Sequence, residues 1–80
     1  MEKIFTVELD QQSETIELHL NKTGAECLKS ILEKLIHYNQ DEHVHLMSSD
    51  WGGNELSTIQ QNLSEEIKLL HQLKITYWKE

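Results

Sequence analysis

The chain contains no proline and no arginine, and it has one cysteine and three glycines in 80 residues. Without proline, no rigid linker is marked and no helix or strand is forcibly broken. Without arginine, the bidentate contacts that dominate nucleic-acid recognition are missing, and a net charge of −7 removes the basic stripe as well. Direct nucleic-acid binding is therefore not expected. With Cys27 alone, no intramolecular disulfide can form, which fits a reducing compartment. Nowhere do the roughly 18 consecutive apolar residues of a membrane span occur, and Met1-Glu2-Lys3-Ile4-Phe5 lacks an apolar run of signal-peptide length. The expectation is a single cytoplasmic domain over residues 1–80. A domain this small buries only about 60–65% of its unfolded surface, so docking onto a partner or a second copy is a common remedy. An enzyme of this size would need a shallow or shared active site. An acidic surface suits a basic protein partner through electrostatic steering, or it simply maintains solubility.

What is present reads as alternation, then helix, then alternation. In Phe5-Thr6-Val7-Glu8-Leu9 the odd positions are apolar. In Thr15-Ile16-Glu17-Leu18-His19-Leu20 the even positions are. Both patterns have the period of half-buried strands, and the polar Asp10-Gln11-Gln12-Ser13 between them reads as a turn. Pairing Leu9 with Glu14 sets Val7 opposite Ile16 and Phe5 opposite Leu18, an antiparallel hairpin with one apolar face. Its other face carries Ile4, Thr6, Glu8, Glu17 and His19. From about Lys22 to about Tyr38, Ala25, Leu28, Ile31, Leu32, Leu35 and Ile36 recur at helical spacing. Asn21 or Thr23 can cap the start and Asn39 can close the end.

His43 to Met47 alternates again and predicts a third strand, with Val44 and Leu46 on one face and His43, His45 and Met47 on the other. Asn54-Glu55-Leu56-Ser57 reads as a short return strand, and Thr58 to Asn62 as a loop. Ser64 to Leu69 fits either a helix start or a strand; from about Leu70 to Trp78 the pattern favours strand. The expected fold is α+β: a mostly antiparallel sheet of four to five strands, in the order ββαβ(β)β, with one main helix packed on one face. The second face, with Ile4, His43, His45, Met47, Thr76 and Trp78, is left uncovered, and a second copy or another protein would meet it.

Side chains capable of chemistry concentrate between His43 and Leu56. His43 and His45 project from one face and could share a transition metal, with Asp50 or His19 as a third ligand. A closed zinc site needs four ligands and Cys27 lies apart on the helix, so the pair reads more simply as surface histidines. A histidine with Asp50 or Glu55, and Ser48 or Ser49 as nucleophile, would make a small metal- or histidine-dependent enzyme centred on His43, His45 and Asp50. No nucleophile elbow, phosphate loop or metalloprotease signature accompanies it. Gly52-Gly53 suits a tight turn better than an anion cradle, because no basic side chain lies near it. Trp51 either plugs the end of the core or anchors a binding surface. Cys27, near the apolar stripe of the helix, reads as a buried thiol, and His71, in the apolar phase of the last strand, as a core or rim histidine.

The run His43-x-His45-Leu46-Met47-x-x-x-Trp51-Gly52-Gly53-x-Glu55-Leu56 resembles a family of bacterial polymorphic-toxin immunity proteins, the one numbered thirty-two. Glu17-Leu18-His19-Leu20 and Leu73-Lys74-Ile75-Thr76-Tyr77-Trp78 are similar to that family's framing strands, so the likeness spans most of the chain. The resemblance implies a non-enzymatic protein that neutralises a cognate toxin, often a basic nuclease domain, by direct binding. It implies no cofactor and no metal. On that expectation Glu8, Glu17, Asp50 and Glu55 meet basic groups, Trp51 and Trp78 supply apolar anchors, and His43 and His45 share the contact face. A homodimer through the uncovered sheet face can coexist with this.

Overall fold

A computed structural model describes residues 2–80. Five strands and one helix follow in the order β1 (Phe5–Asp10), β2 (Thr15–Leu20), α1 (Lys22–Tyr38), β3 (Glu42–Met47), β4 (Ile67–Leu70) and β5 (Gln72–Tyr77), with a 3-10 turn at Ser49–Trp51. The fold is α+β, with antiparallel sheets of order β2-β1-β4 and β3-β5. Only His71 separates β4 from β5, so the undecided Ser64–Leu69 segment resolves into a turn and then strand from Ile67.

Helix α1 spans the predicted range because both of its ends carry local stop signals. The Asn21 side chain accepts from the Gly24 amide at 2.9 Å, and Asn39 adopts the left-handed conformation with its amide on the Leu35 carbonyl at 3.0 Å. The same Asn21 Oδ1 accepts the Ile4 amide at 2.9 Å, which ties the helix start to the lead-in of β1.

The hairpin forms with the predicted faces but a different register. Phe5 lies opposite Leu20, Val7 opposite Leu18 and Leu9 opposite Ile16. The connection keeps four residues but sits one position later in the chain, because Asp10 pairs with Thr15 and residues 11–14 form the loop. Asp10 Oδ1 accepts the Gln12 and Ser13 amides and Glu14 takes a left-handed conformation, which together close that loop. A shift of two residues keeps every side chain on its face, so the apolar pattern could not register the difference.

The core consists of Phe5, Val7, Leu46 and Leu56, flanked by Cys27, Leu28 and Ile31 of α1 and by Val44, Leu70, Leu73 and Ile75. The helical stripe is wider than the strip it buries. Leu35 is buried, whereas Leu32 and Ile36 on one flank are exposed, as are Ile16, Leu18 and Leu20 on edge strand β2. Asn54–Ser57 makes no return strand; Leu56 forms one isolated parallel bridge with Ser48. The Ser48 amide donates to the His71 carbonyl, Leu56 to the Met47 carbonyl and Ser57 to the Phe5 carbonyl. These bonds knit the end of β3, the bend at His71 and the start of β1 into one layer.

The second sheet face is not uncovered throughout. Thr6 and Glu8 are fully buried. The Gln61 and Asn62 amides donate to the Glu8 carboxylate, so the Thr58–Asn62 loop lies over the first sheet. Only the β3-β5 part remains open: His43, His45, Lys74 and Thr76 are exposed there, with Trp78 just beyond.

Candidate functional site

The motif from Met47 to Leu56 is first a structural device. The 3-10 turn ends at Gly52, whose φ of 88° is the left-handed region that disfavours a side chain. Gly53 runs against the preceding strand: a Cβ there would lie 2.4 Å from the Met47 carbonyl oxygen. Glu55 folds back so that its carboxylate accepts the Met47 amide at 3.2 Å and the Asn54 amide at 3.3 Å. Leu56 then enters the core. Gly52, Gly53, Glu55 and Leu56 thus each have a local steric, hydrogen-bonding or packing cause. Glu55, expected to meet a partner's basic groups, is half-buried and spends its carboxylate on this loop.

The tryptophan itself is different. Trp51 is 58% exposed, which removes the core-plug alternative. Its indole stacks on His71, with ring centroids 5.7 Å apart and planes 11° from parallel. His71 is held in turn through Nδ1 and the Ser48 hydroxyl, 2.7 Å apart. Ser48 is wholly buried, so this Ser-His pair shields its oxygen from any substrate, and among the described residues no carboxylate orients the far ring nitrogen. A nucleophile needs both access and an oriented base. The pair instead supports the indole, presenting a large apolar ring at a fixed angle. Asp50 is exposed beside it.

His43 and His45 lie on the open face of β3, their rings edge to face at 5.1 Å. His45 Nδ1 is 2.8 Å from the Gln72 side-chain amide. Neither Asp50 nor His19 joins them as a ligand. Among the described residues, the one group of three or more ligand side chains within reach of one another is Glu8, Glu17 and His19. Trp78 is 73% exposed at the far end of the same sheet. A shallow depression lined by Lys3, Ile4, Asn54, Leu56 and Ile59 lies near the motif and contains no histidine or cysteine.

Glu8 corrects the expectation most sharply: it is buried and cannot touch a partner. The reason is the loop that returns over it. Glu8 Oε2 accepts the Gln61 amide at 2.8 Å and Oε1 the Asn62 amide at 3.0 Å. Burial pushes this carboxyl up, but those two amides, the neighbouring Thr6 hydroxyl and His19 outweigh it and hold it below its ordinary value. Glu17 is half-buried, bonded to the Asn62 side chain at 3.2 Å and to His19 Nε2 at 2.9 Å. The Glu8–Glu17–His19 cluster escaped the sequence reading because the predicted register set Glu8 opposite Thr15. The observed register sets Glu8 opposite Glu17 and Thr6 opposite His19. Placing the turn one residue later, at 11–14 in place of 10–13, is the signal that finds it.

No family model, curated protein sequence or solved structure matches this chain. Among the described residues, no helix is long and apolar enough to cross a membrane.

Proposed function

We propose that this protein is an immunity-type binding protein that occludes a cognate bacterial toxin domain by direct contact, with no chemistry of its own. The observation that carries this reading is Trp51. Its indole is more than half exposed yet stacked and braced from behind by His71, and rigid exposed aromatics are what binding hot spots use. Asp50 is exposed beside it, and the open His43/His45 face and Trp78 at the far end of that sheet offer further accessible polar and aromatic surface. Glu17 keeps part of its carboxylate near solvent, whereas Glu8 and Glu55 hold loops and take no part in contact. The −7 charge favours a basic partner and speeds the encounter. The resemblance of the Trp51–Leu56 motif to an immunity family supports the same reading.

The test is to look for a toxin domain in the neighbouring genes, coexpress it with this protein and measure the affinity. The Trp51→Ala variant should bind about 2 kcal/mol more weakly, roughly 30-fold, while remaining folded. Unchanged affinity in that variant, or no complex at all with the neighbouring gene product, would sink the proposal.

Self-association has one observation in its favour, and it lies elsewhere than the sheet face. Ile16, Leu18 and Leu20 of β2, with Leu32 and Ile36 of α1, form the exposed apolar flank. Light scattering across a concentration series checks it, and a monomer throughout removes it.

A further inference from the structure

The cluster under the Thr58–Asn62 loop sets two carboxylates side by side against one imidazole. Glu8 and Glu17 are direct cross-strand partners, and like charges so placed repel. Among the described residues the only cation-capable side chain within 4.0 Å of either carboxylate is His19. Its Nε2 lies 2.9 Å from Glu17 Oε1 and 3.5 Å from Glu8 Oε1. No lysine approaches. A second observation points the same way. Thr6 is fully buried, sits directly across from His19 and two residues before Glu8 on the same face, and its Oγ1 is the one buried side-chain polar atom among the described residues without a hydrogen-bond partner. That hydroxyl lies close enough to the Glu8 carboxyl to favour its charged form, yet without the geometry of a hydrogen bond. A buried hydroxyl left without a partner is destabilising, so such a group calls for an explanation.

We propose that Glu8, Glu17 and His19 bind a divalent transition metal of the zinc class, with the Thr6 hydroxyl or a water beside it completing the shell. The donor set of one imidazole nitrogen and two carboxylate oxygens is one that zinc accepts. The spacing fits. Two atoms each about 2.0–2.1 Å from a tetrahedral ion lie roughly 3.3 Å apart, between the 2.9 and 3.5 Å found here, and all three ligand atoms fall within 4.8 Å of one another. The outer shell is built: the Gln61 and Asn62 amides hold Glu8, and the Asn62 side chain holds Glu17. Such partners orient ligand carboxylates in metal sites. Access is from the side of Glu17 and His19, whose side chains are 27% and 32% exposed. A bound ion would link β1, β2 and the covering loop, so its role is to stabilise the fold.

The test uses the full chain without a histidine tag, titrated at neutral pH with cobalt(II) and then zinc(II). One cobalt per chain should bind with visible absorption of a tetrahedral or five-coordinate centre. Zinc should displace it and raise the melting temperature, and a chelator should reverse the rise. His19→Gln and Glu17→Gln should weaken binding by more than the roughly 10–100-fold that loss of even an outer-shell partner costs. The His43→Gln/His45→Gln double variant should bind as the parent does. X-ray absorption of the zinc-loaded parent provides a readout that no folding defect can confuse: one imidazole with oxygen neighbours supports the site. A two-imidazole shell, loss of binding in the His43/His45 variant, or no saturable binding overturns it.

Discussion

The two sheets expose the same kind of strand face and treat it in opposite ways. On β1 and β2 the polar positions Thr6, Glu8, Glu17 and His19 lie beneath or beside a returning loop, and the first two are fully buried. On β3 and β5 the equivalent positions His43, His45, Lys74 and Thr76 stand in the open. On β1, β3 and β5 the opposite, apolar face meets the core, whereas on edge strand β2 Ile16, Leu18 and Leu20 stay exposed. The difference teaches that alternation identifies which side chains share a face and says nothing about what covers either side. The covered face must satisfy its polar groups internally, and it does so with backbone amides from residues 53 and 54 positions away in sequence. The open face leaves its groups to water, or to a partner.

Removing the central acceptor of the covered face should have the largest effect. Glu8→Ala would strand the Gln61 and Asn62 amides under the loop, at a cost on the order of 3 kcal/mol or more, since each hydrogen bond to a charged group contributes about 1.5–3 kcal/mol. Urea denaturation measures it. A loss below about 1 kcal/mol would mean that the loop stays in place without Glu8, and the contrast between the faces would fail.

Acid titration of stability sharpens the same contrast with a smaller effect. In the folded chain the Glu8 carboxyl lies below its ordinary value of 4.5. A depressed acid contributes stability that is complete above the unfolded value and is lost as pH falls through the folded one. Unfolding free energy should therefore fall below about pH 4.5, and Glu8→Ala should flatten that limb. Parallel acid limbs for parent and variant would assign the acid sensitivity to other carboxylates.

The smallest effect belongs to the open face. Replacing His43 and His45 together by serine should change stability by no more than about 0.5 kcal/mol, the usual range for surface positions. Thermal melts decide this, and a large loss would place the imidazoles in a structural role. The same variant should weaken partner binding where the open face is the interface, separating contact from folding.

Several parts of the fold were legible residue by residue. The helix was bounded by Asn21 and Asn39, whose side-chain acceptor and left-handed backbone act locally. The faces of β1, β2 and β3 followed from period-two alternation. The candidate site was legible in part. Gly52 and Gly53 stood out as a turn for steric reasons that act locally, whereas Glu55, expected in a return strand and at a partner's basic groups, closes the loop on the Met47 amide. Trp51 could be read either way, because exposure depends on what packs nearby, and here the neighbour is His71, twenty positions further on. Glu8 was misread as surface for the same reason.

By itself, then, the sequence determined which side chains share a face, where the helix starts and stops, and that the chain turns tightly at Gly52-Gly53. Those properties depend on dihedral preferences and on spacing within a few residues. Tertiary structure alone decided the two-residue register shift that brings Glu8 beside Glu17, the bend at His71 that divides β4 from β5, and which polar face is roofed over. Each depends on contacts between distant segments, where loop length and mutual hydrogen bonding select among arrangements that the local pattern leaves equivalent.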